Sequence, residues 1–180
     1  MEFSETVSRA TLRKNAAALN ASLYMIELVG DMLAQADPYP GVFDLLHKAI
    51  GRLGDEGVPV GAVLAYFQWR LLRHAGLLGG LTTCVGCGMG VSEIPRQAQV
   101  YFSSQQGGIL CDGCQDVTTE KFQLERVTLE GLATLAAAEA GQRGTLPQVQ
   151  AGAVNRLLAY HIAQQLGKTL RMARYVISRK

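Results

Sequence analysis

Apolar residues return at helical spacing through most of this chain. Between Thr6 and Ala36 the recurring positions are Leu19, Leu23, Ile26 and Leu33, and Ala16, Ala17, Ala18 and Ala21 add helix propensity. Asp37-Pro38-Tyr39-Pro40-Gly41 breaks that pattern. A second helix follows, with Val42, Leu45, Leu46, Ala49, Ile50 and Leu53 on one stripe, and Gly54-Asp55-Glu56-Gly57 turns the chain. Pro59 suits the first turn of a third helix, where its missing N–H costs nothing. Val60, Val63, Leu64, Phe67, Leu71 and Leu72 give that helix its buried side, and Gly76, Gly79 and Gly80 end it. Two further helices are predicted, about Thr128–Ala140 and Pro147–Leu166, with a last stretch from Lys168 onward.

Thr82 to Asp116 differs in kind. Gln99-Val100-Tyr101-Phe102-Ser103 is rich in strand formers, Gly107-Gly108 turns the chain, and Ile109-Leu110 returns it to Cys111. The predicted architecture is mainly α: a helical bundle with an inserted four-cysteine, zinc-ribbon-like β-hairpin. Residues 1–81 and 118–180 form one helical domain, and residues 82–117 form the insert.

The hairpin joins two matched pairs, Cys84-Val85-Gly86-Cys87 and Cys111-Asp112-Gly113-Cys114, with 23 residues between Cys87 and Cys111. Two residues between thiols let one tight turn aim both sulfurs at the same ion. Gly86, Gly88 and Gly113 stand where such turns call for glycine. Two turns of this kind close a tetrahedral, all-cysteine zinc site that leaves no position for water, so the ion stabilises structure and does not hydrolyse. Thioredoxin-like redox chemistry would show one such pair, at the start of a helix after a strand. His47, His74 and His161 read as helix-face or packed histidines. Phe67 and Trp69 read as core, and Ser4, Ser8 and Ser22 have no nucleophile context.

Composition adds less. The hydrophobic fraction of 48% and charged fraction of 18% suit a chain that buries a core. No apolar run reaches the ~20 residues a bilayer requires, and Met1–Asn15 is too charged for a signal peptide. A reducing cytoplasmic compartment is expected, which favours metal over disulfides. The net charge of +2 hides an asymmetry. Residues 1–140 hold ten Lys and Arg against fifteen Asp and Glu, whereas residues 141–180 hold seven Lys and Arg and no acid. The C-terminal region is therefore the expected seat of attraction to an anionic partner, with a solvated basic face as the alternative.

With the cysteine turns in view, the chain resembles the C-terminal part of the RecO family of bacterial recombination mediators. Tyr24-Met25-Ile26-Glu27-Leu28 is similar to the family's tyrosine–glutamate–leucine helix, and Pro40-Gly41-Val42-Phe43-Asp44-Leu45-Leu46 to its next helix start. Phe67-Gln68-Trp69-Arg70-Leu71-Leu72 with Gly76 resembles the helix leading into the cysteines. Cys84-Val85-Gly86-Cys87-Gly88, Phe102-Ser103 and Gly107-Gly108-Ile109-Leu110-Cys111 resemble its zinc segment. Gly167-Lys168-Thr169-Leu170-Arg171 resembles its closing motif, with Thr169 in place of proline and Met172-Ala173 in place of a Ser-Arg pair. The family begins with a nucleic-acid-binding OB-fold. The text of this chain starts after it, as expected of a truncated protein or of one that dispenses with the barrel.

The resemblance implies a non-enzymatic mediator in RecF-type repair, cytoplasmic and nucleoid-associated. Its expected partners are RecR, the acidic tail of single-stranded DNA-binding protein, and single- or double-stranded DNA. A groove between amphipathic helices would take the tail's apolar end, and Arg70, Arg73, Lys168, Arg171 and Arg174 are the candidates to meet its carboxylates. The alternative for Arg70 and Arg73 is pairing with acids inside the bundle. The alternative for the whole chain is a stand-alone zinc-ribbon interaction scaffold without a DNA role.

Overall fold

The computed structural model describes residues 12, 14–33, 41–139 and 146–177. The expected helix start at Thr6 and the breaker at Asp37–Pro40 lie outside them. Six helices are described: α1 (Ala16–Leu33), α2 (Val42–Leu53), α3 (Val60–His74), α4 (Arg126–Glu139), α5 (Gln148–Leu166) and the single turn α6 (Ala173–Val176). Between α3 and α4 lie β1 (Val100–Ser103), β2 (Gly108–Cys111) and β3 (Phe122–Leu124), an antiparallel sheet in the order β2-β1-β3. No helix among the described residues is long and apolar enough to cross a membrane.

Local chemistry sets the helix ends. The Asn15 Oδ1 accepts the N–H groups of Ala17 and Ala18 at 3.1 and 3.2 Å and so caps α1. At the end of α3, the Gly76 N–H donates to the Arg73 carbonyl and the Leu77 N–H to the Leu72 carbonyl. Gly76 takes φ +68°, the left-handed conformation this paired closure needs. That closure turns the chain sharply toward the cysteine segment.

Helix α3 is the centre of the bundle, buried on nearly every side and packed against α1, α2 and α5. The α2 stripe buries as predicted. The α1 stripe does not. Leu19, Leu23 and Ile26 are 39, 43 and 50% exposed, and the buried face carries Ala18, Ala21, Tyr24, Met25, Leu28 and Met32. Apolar residues occur on every side of α1, so size decides the face: small Ala18 and Ala21 admit a neighbouring helix closely. Tyr24 then reaches across the core. Its hydroxyl donates to the Gln68 Oε1 at 2.9 Å, the Gln68 Nε2 donates to the Asn155 Oδ1 at 2.8 Å, and the Asn155 Nδ2 donates to the Gly61 carbonyl at 2.9 Å. This satisfied chain ties α1, α3 and α5 in one register, since a slip would strand buried polar groups.

The sheet seals onto α5. The Phe102 ring meets the His161 ring edge-on at 5.1 Å, and Phe122 lies 4.9 Å from Tyr160. The Gln165 Nε2 donates to the Ser104 carbonyl at 2.9 Å, and the Tyr160 hydroxyl donates to Glu120. Burial first, and then the Glu120 carboxylate, pushes the Tyr160 phenol up to about 12, so it remains a donor. All of β1 and β2 is buried within the same core as the helices. The third strand, Phe122–Leu124, lies beyond the hairpin that the sequence predicts.

His161 is fully buried, with its Nε2 2.9 Å from the Leu77 carbonyl and its Nδ1 bonded to no atom of the described residues. Burial, the largest influence, holds it below its ordinary value against the opposing pull of the Leu77 carbonyl and Glu120. The unfolded chain takes up this proton near pH 6.5 and the folded chain only at lower pH. The neutral imidazole's contribution is therefore complete above about pH 6.5 and is lost as pH falls through the folded value. Melting temperature should drop more steeply from pH 7.5 to 5.5 in the wild type than in His161→Gln. Equal slopes would contradict this account.

Candidate metal centre and basic groove

The first cysteine turn is sewn to the sheet. Thr83 bridges Gly90, and Cys84 forms a parallel bridge with Ile109 of β2. The Cys84 N–H donates to the Met89 carbonyl at 2.8 Å, the Gly88 N–H to the Cys84 carbonyl at 2.9 Å, and the Val85 N–H to the Ile109 carbonyl at 2.8 Å. The second turn continues β2: Cys111 is its last residue, and Cys114 sits in the 3-10 turn Asp112–Val117. Two of the three predicted glycine positions have a physical need. Gly88 holds φ +78°, and a Cβ on Gly86 would stand 2.9 Å from the Cys114 Cβ. Gly113 has neither a positive φ nor a close neighbour, so the expected need for glycine does not hold there.

The sulfurs of Cys84, Cys87, Cys111 and Cys114 lie within 4.8 Å of one another, with Cys87 and Cys111 3.8 Å apart. A disulfide requires about 2.05 Å. A tetrahedral ion bound at about 2.3 Å sets its sulfurs about 3.8 Å apart. The four cysteines are thus positioned to hold a metal ion, and their thiol chemistry fits one. Burial raises the Cys84 thiol, but the N–H groups of Cys111, Cys87 and Gly86 outweigh it and bring it to about 6. Thiol contacts with Cys111 and Cys87 push Cys114 up to about 12, and burial raises Cys111. Without a cation, one thiolate in this corner makes the next harder to form.

The five basic candidates do not converge. Arg70 lines a groove of about 990 Å³ between α2, α3 and α4. Its floor includes Leu45, Val63, Tyr66 and Leu135, and Lys48, Arg52 and His74 join Arg70 around it, with the Asp44 carboxylate among them. The Arg70 guanidinium lies 5.9 Å from the Tyr66 ring centre. Arg73, three residues on, leaves the groove and donates to the carbonyls of Leu78 and Gly79 on the path to the cysteines. Lys48, Arg52 and His74 were missed by sequence reasoning. The available signal was helical: Lys48 and Arg52 are four apart on α2, as Arg70 and His74 are on α3.

Lys168, Arg171 and Arg174 stand elsewhere. The Lys168 Nζ pairs with Asp31 at 2.9 Å. The Glu27 carboxylate accepts the backbone N–H groups of Arg171 and Met172, each at 2.9 Å. Two stretches far apart in sequence, Tyr24–Leu28 and Gly167–Arg171, are thereby fastened together. The Arg174 guanidinium lies 4.7 Å from the centre of the Tyr175 ring.

The model of the recombination protein O C-terminal family matches residues 13–173. Among curated proteins, the chain is 34% identical to the DNA repair protein RecO of Desulforamulus reducens, over 70% of this chain and 47% of that protein. It is 30% identical to the DNA repair protein RecO of Myxococcus xanthus, over 88% of this chain and 62% of that protein. It is also 30% identical to the DNA repair protein RecO of Anaeromyxobacter sp. (strain K), over 92% of this chain and 64% of that protein. The chain thus spans about half to two-thirds of the length of these relatives. No solved structure matches it. A family match running from before α1 into α6, across both cysteine pairs, means that the chain belongs to the RecO family through its C-terminal part.

Proposed function

We propose that this chain is a non-enzymatic mediator module of DNA repair and recombination, working in the cytoplasm. In this reading it docks the acidic tail of single-stranded DNA-binding protein in the α2–α3–α4 groove, and its four cysteines hold one zinc ion. RecR and single-stranded DNA are its further partners in RecF-type repair. The relatives' name as DNA repair proteins supports the general role. The observation that carries the tail reading is the groove: an apolar floor edged by Lys48, Arg52, Arg70 and His74, against one carboxylate, Asp44. A peptide with apolar terminal side chains and preceding carboxylates complements both features, and Arg can grip a carboxylate through two hydrogen bonds.

Zinc is the ion favoured by an all-cysteine donor set of this spacing. Cys84, Cys87, Cys111 and Cys114 would hold it, and it would supply local folding energy. The surrounding residues hold the sulfurs in place: the N–H of Cys111 donates to the Cys84 Sγ at 3.3 Å.

Two outcomes are expected. A labelled acidic peptide ending in aromatic and aliphatic residues should bind at low salt. Arg70→Glu and Lys48→Glu should each weaken it roughly fivefold or more with little change in melting temperature, whereas Arg171→Glu should leave it unchanged. Unaltered binding in both groove variants, or no binding by the wild type, would favour the scaffold reading. Cys111→Ser should lose hydrogen-exchange protection in residues 82–124 and in the sheet-facing end of α5, near Tyr160–Gln165, while α1–α3 stay protected. Uniform loss, or none, would contradict a local structural ion.

A further inference from the structure

The structure leaves one aromatic ring and two guanidinium groups in solvent on the last described turn, and neither the groove nor the cysteines use them. Tyr175 is 54% exposed, Arg174 is exposed against its ring, and Arg171, four residues earlier, is exposed as well. The turn is held firmly. Leu170 and Ala173 are buried beneath it, and the Glu27 carboxylate takes the N–H groups of Arg171 and Met172. The nearby acids are therefore engaged: Glu27 by those two N–H groups, and Asp31 by Lys168. Residues 141–180 contain no acid to offset the basic side chains.

We infer that Tyr175, with Arg174 against its ring and Arg171 on the preceding turn, is a stacking site for single-stranded nucleic acid. With the Arg174 guanidinium 4.7 Å over one face of the ring, the other face is offered to a base and the guanidinium supplies charge to a neighbouring phosphate, the combination that binds single strands without reading sequence. A duplex keeps its bases stacked and offers the ring none. An acidic peptide tail would need an apolar seat, whereas Leu170 and Ala173 are buried and Met172, Val176 and Ile177 pack half-buried against the core, which leaves Tyr175 as the exposed large side chain of the turn. The inference deepens the mediator reading and rests on it, but the site shares no residue with the groove, so the two can fail separately.

The test is fluorescence anisotropy of the whole 180-residue chain with a dye-labelled oligothymidylate at low and moderate salt. Tyr175→Ala should weaken binding about tenfold, and Tyr175→Phe, which keeps the ring, should stay close to wild type. Arg174→Ala should weaken binding and lower the slope of log affinity against log salt by about 0.7. A duplex of equal length should be insensitive to Tyr175→Ala. With the oligonucleotide, any of these results would overturn the site: no binding by the wild type at low salt, Tyr175→Ala binding as tightly as wild type, or Tyr175→Phe losing as much as Tyr175→Ala. Tail-peptide affinity measured on the same variants should not move. If it falls in Tyr175→Ala, the turn belongs to a peptide site and the inference fails. If it holds while oligonucleotide binding is absent, the stacking site fails and the groove reading stands.

Discussion

Four thiols gathered into one corner repel one another as soon as they ionise, and that constraint reaches through the structure. Cys84 is drawn toward its thiolate by neighbouring N–H groups, while Cys111 and Cys114 are held protonated by burial and by the sulfurs around them. A divalent cation would remove the conflict and turn the cluster into a staple. That staple would join a turn at Cys84–Cys87 to the end of β2, beside the bridge between Cys84 and Ile109. Because β2 pairs with β1 and Phe102 of β1 lies against His161, the position of the sulfurs is felt on α5.

Helix α5 connects the two halves of the molecule. One end carries Tyr160, His161 and Gln165 against the sheet. Further toward its start, Asn155 completes the polar chain from Tyr24 through Gln68, and Val154 packs against Gly131 of α4, where a Cβ would stand 2.6 Å from the Val154 Cγ2. A groove that depends on the spacing of α2, α3 and α4 is thus built on the helix that receives the sheet. Hydrogen bonds in the polar chain add little net stability. They penalise every other alignment of three largely apolar helices, which is where an apolar pattern by itself is least decisive.

This explains what the sequence could and could not reveal. The cysteine pairs were legible because ligand spacing is a local property, α2 because one face is distinctly more apolar, and α3 because a nearly unbroken apolar run is bounded by Pro59 and Gly76. The α1 face was misread because Leu19, Leu23 and Ile26 look like core, whereas Ala18, Ala21 and Tyr24 form it through close approach and a distant partner, Gln68. Strand β3 is three residues long and takes its identity from β1, so no periodicity could announce it. The basic candidates were legible as charges but not as a site. Arg70 and Arg73 sit on one helix yet serve different surroundings, and the partners that Arg70 does have in the groove come from α2 and from its own helix.

Everything from the cysteine turns to α5 depends on whether the sulfur cluster holds a metal ion. X-ray absorption at the zinc edge, on protein purified under reducing conditions with its metal content determined by native mass spectrometry, tests this most directly. The expected result is one zinc per chain with four sulfur neighbours at about 2.3 Å. A folded chain with no bound metal and four titratable thiols, or an ion with nitrogen or oxygen neighbours in place of sulfur, would contradict it.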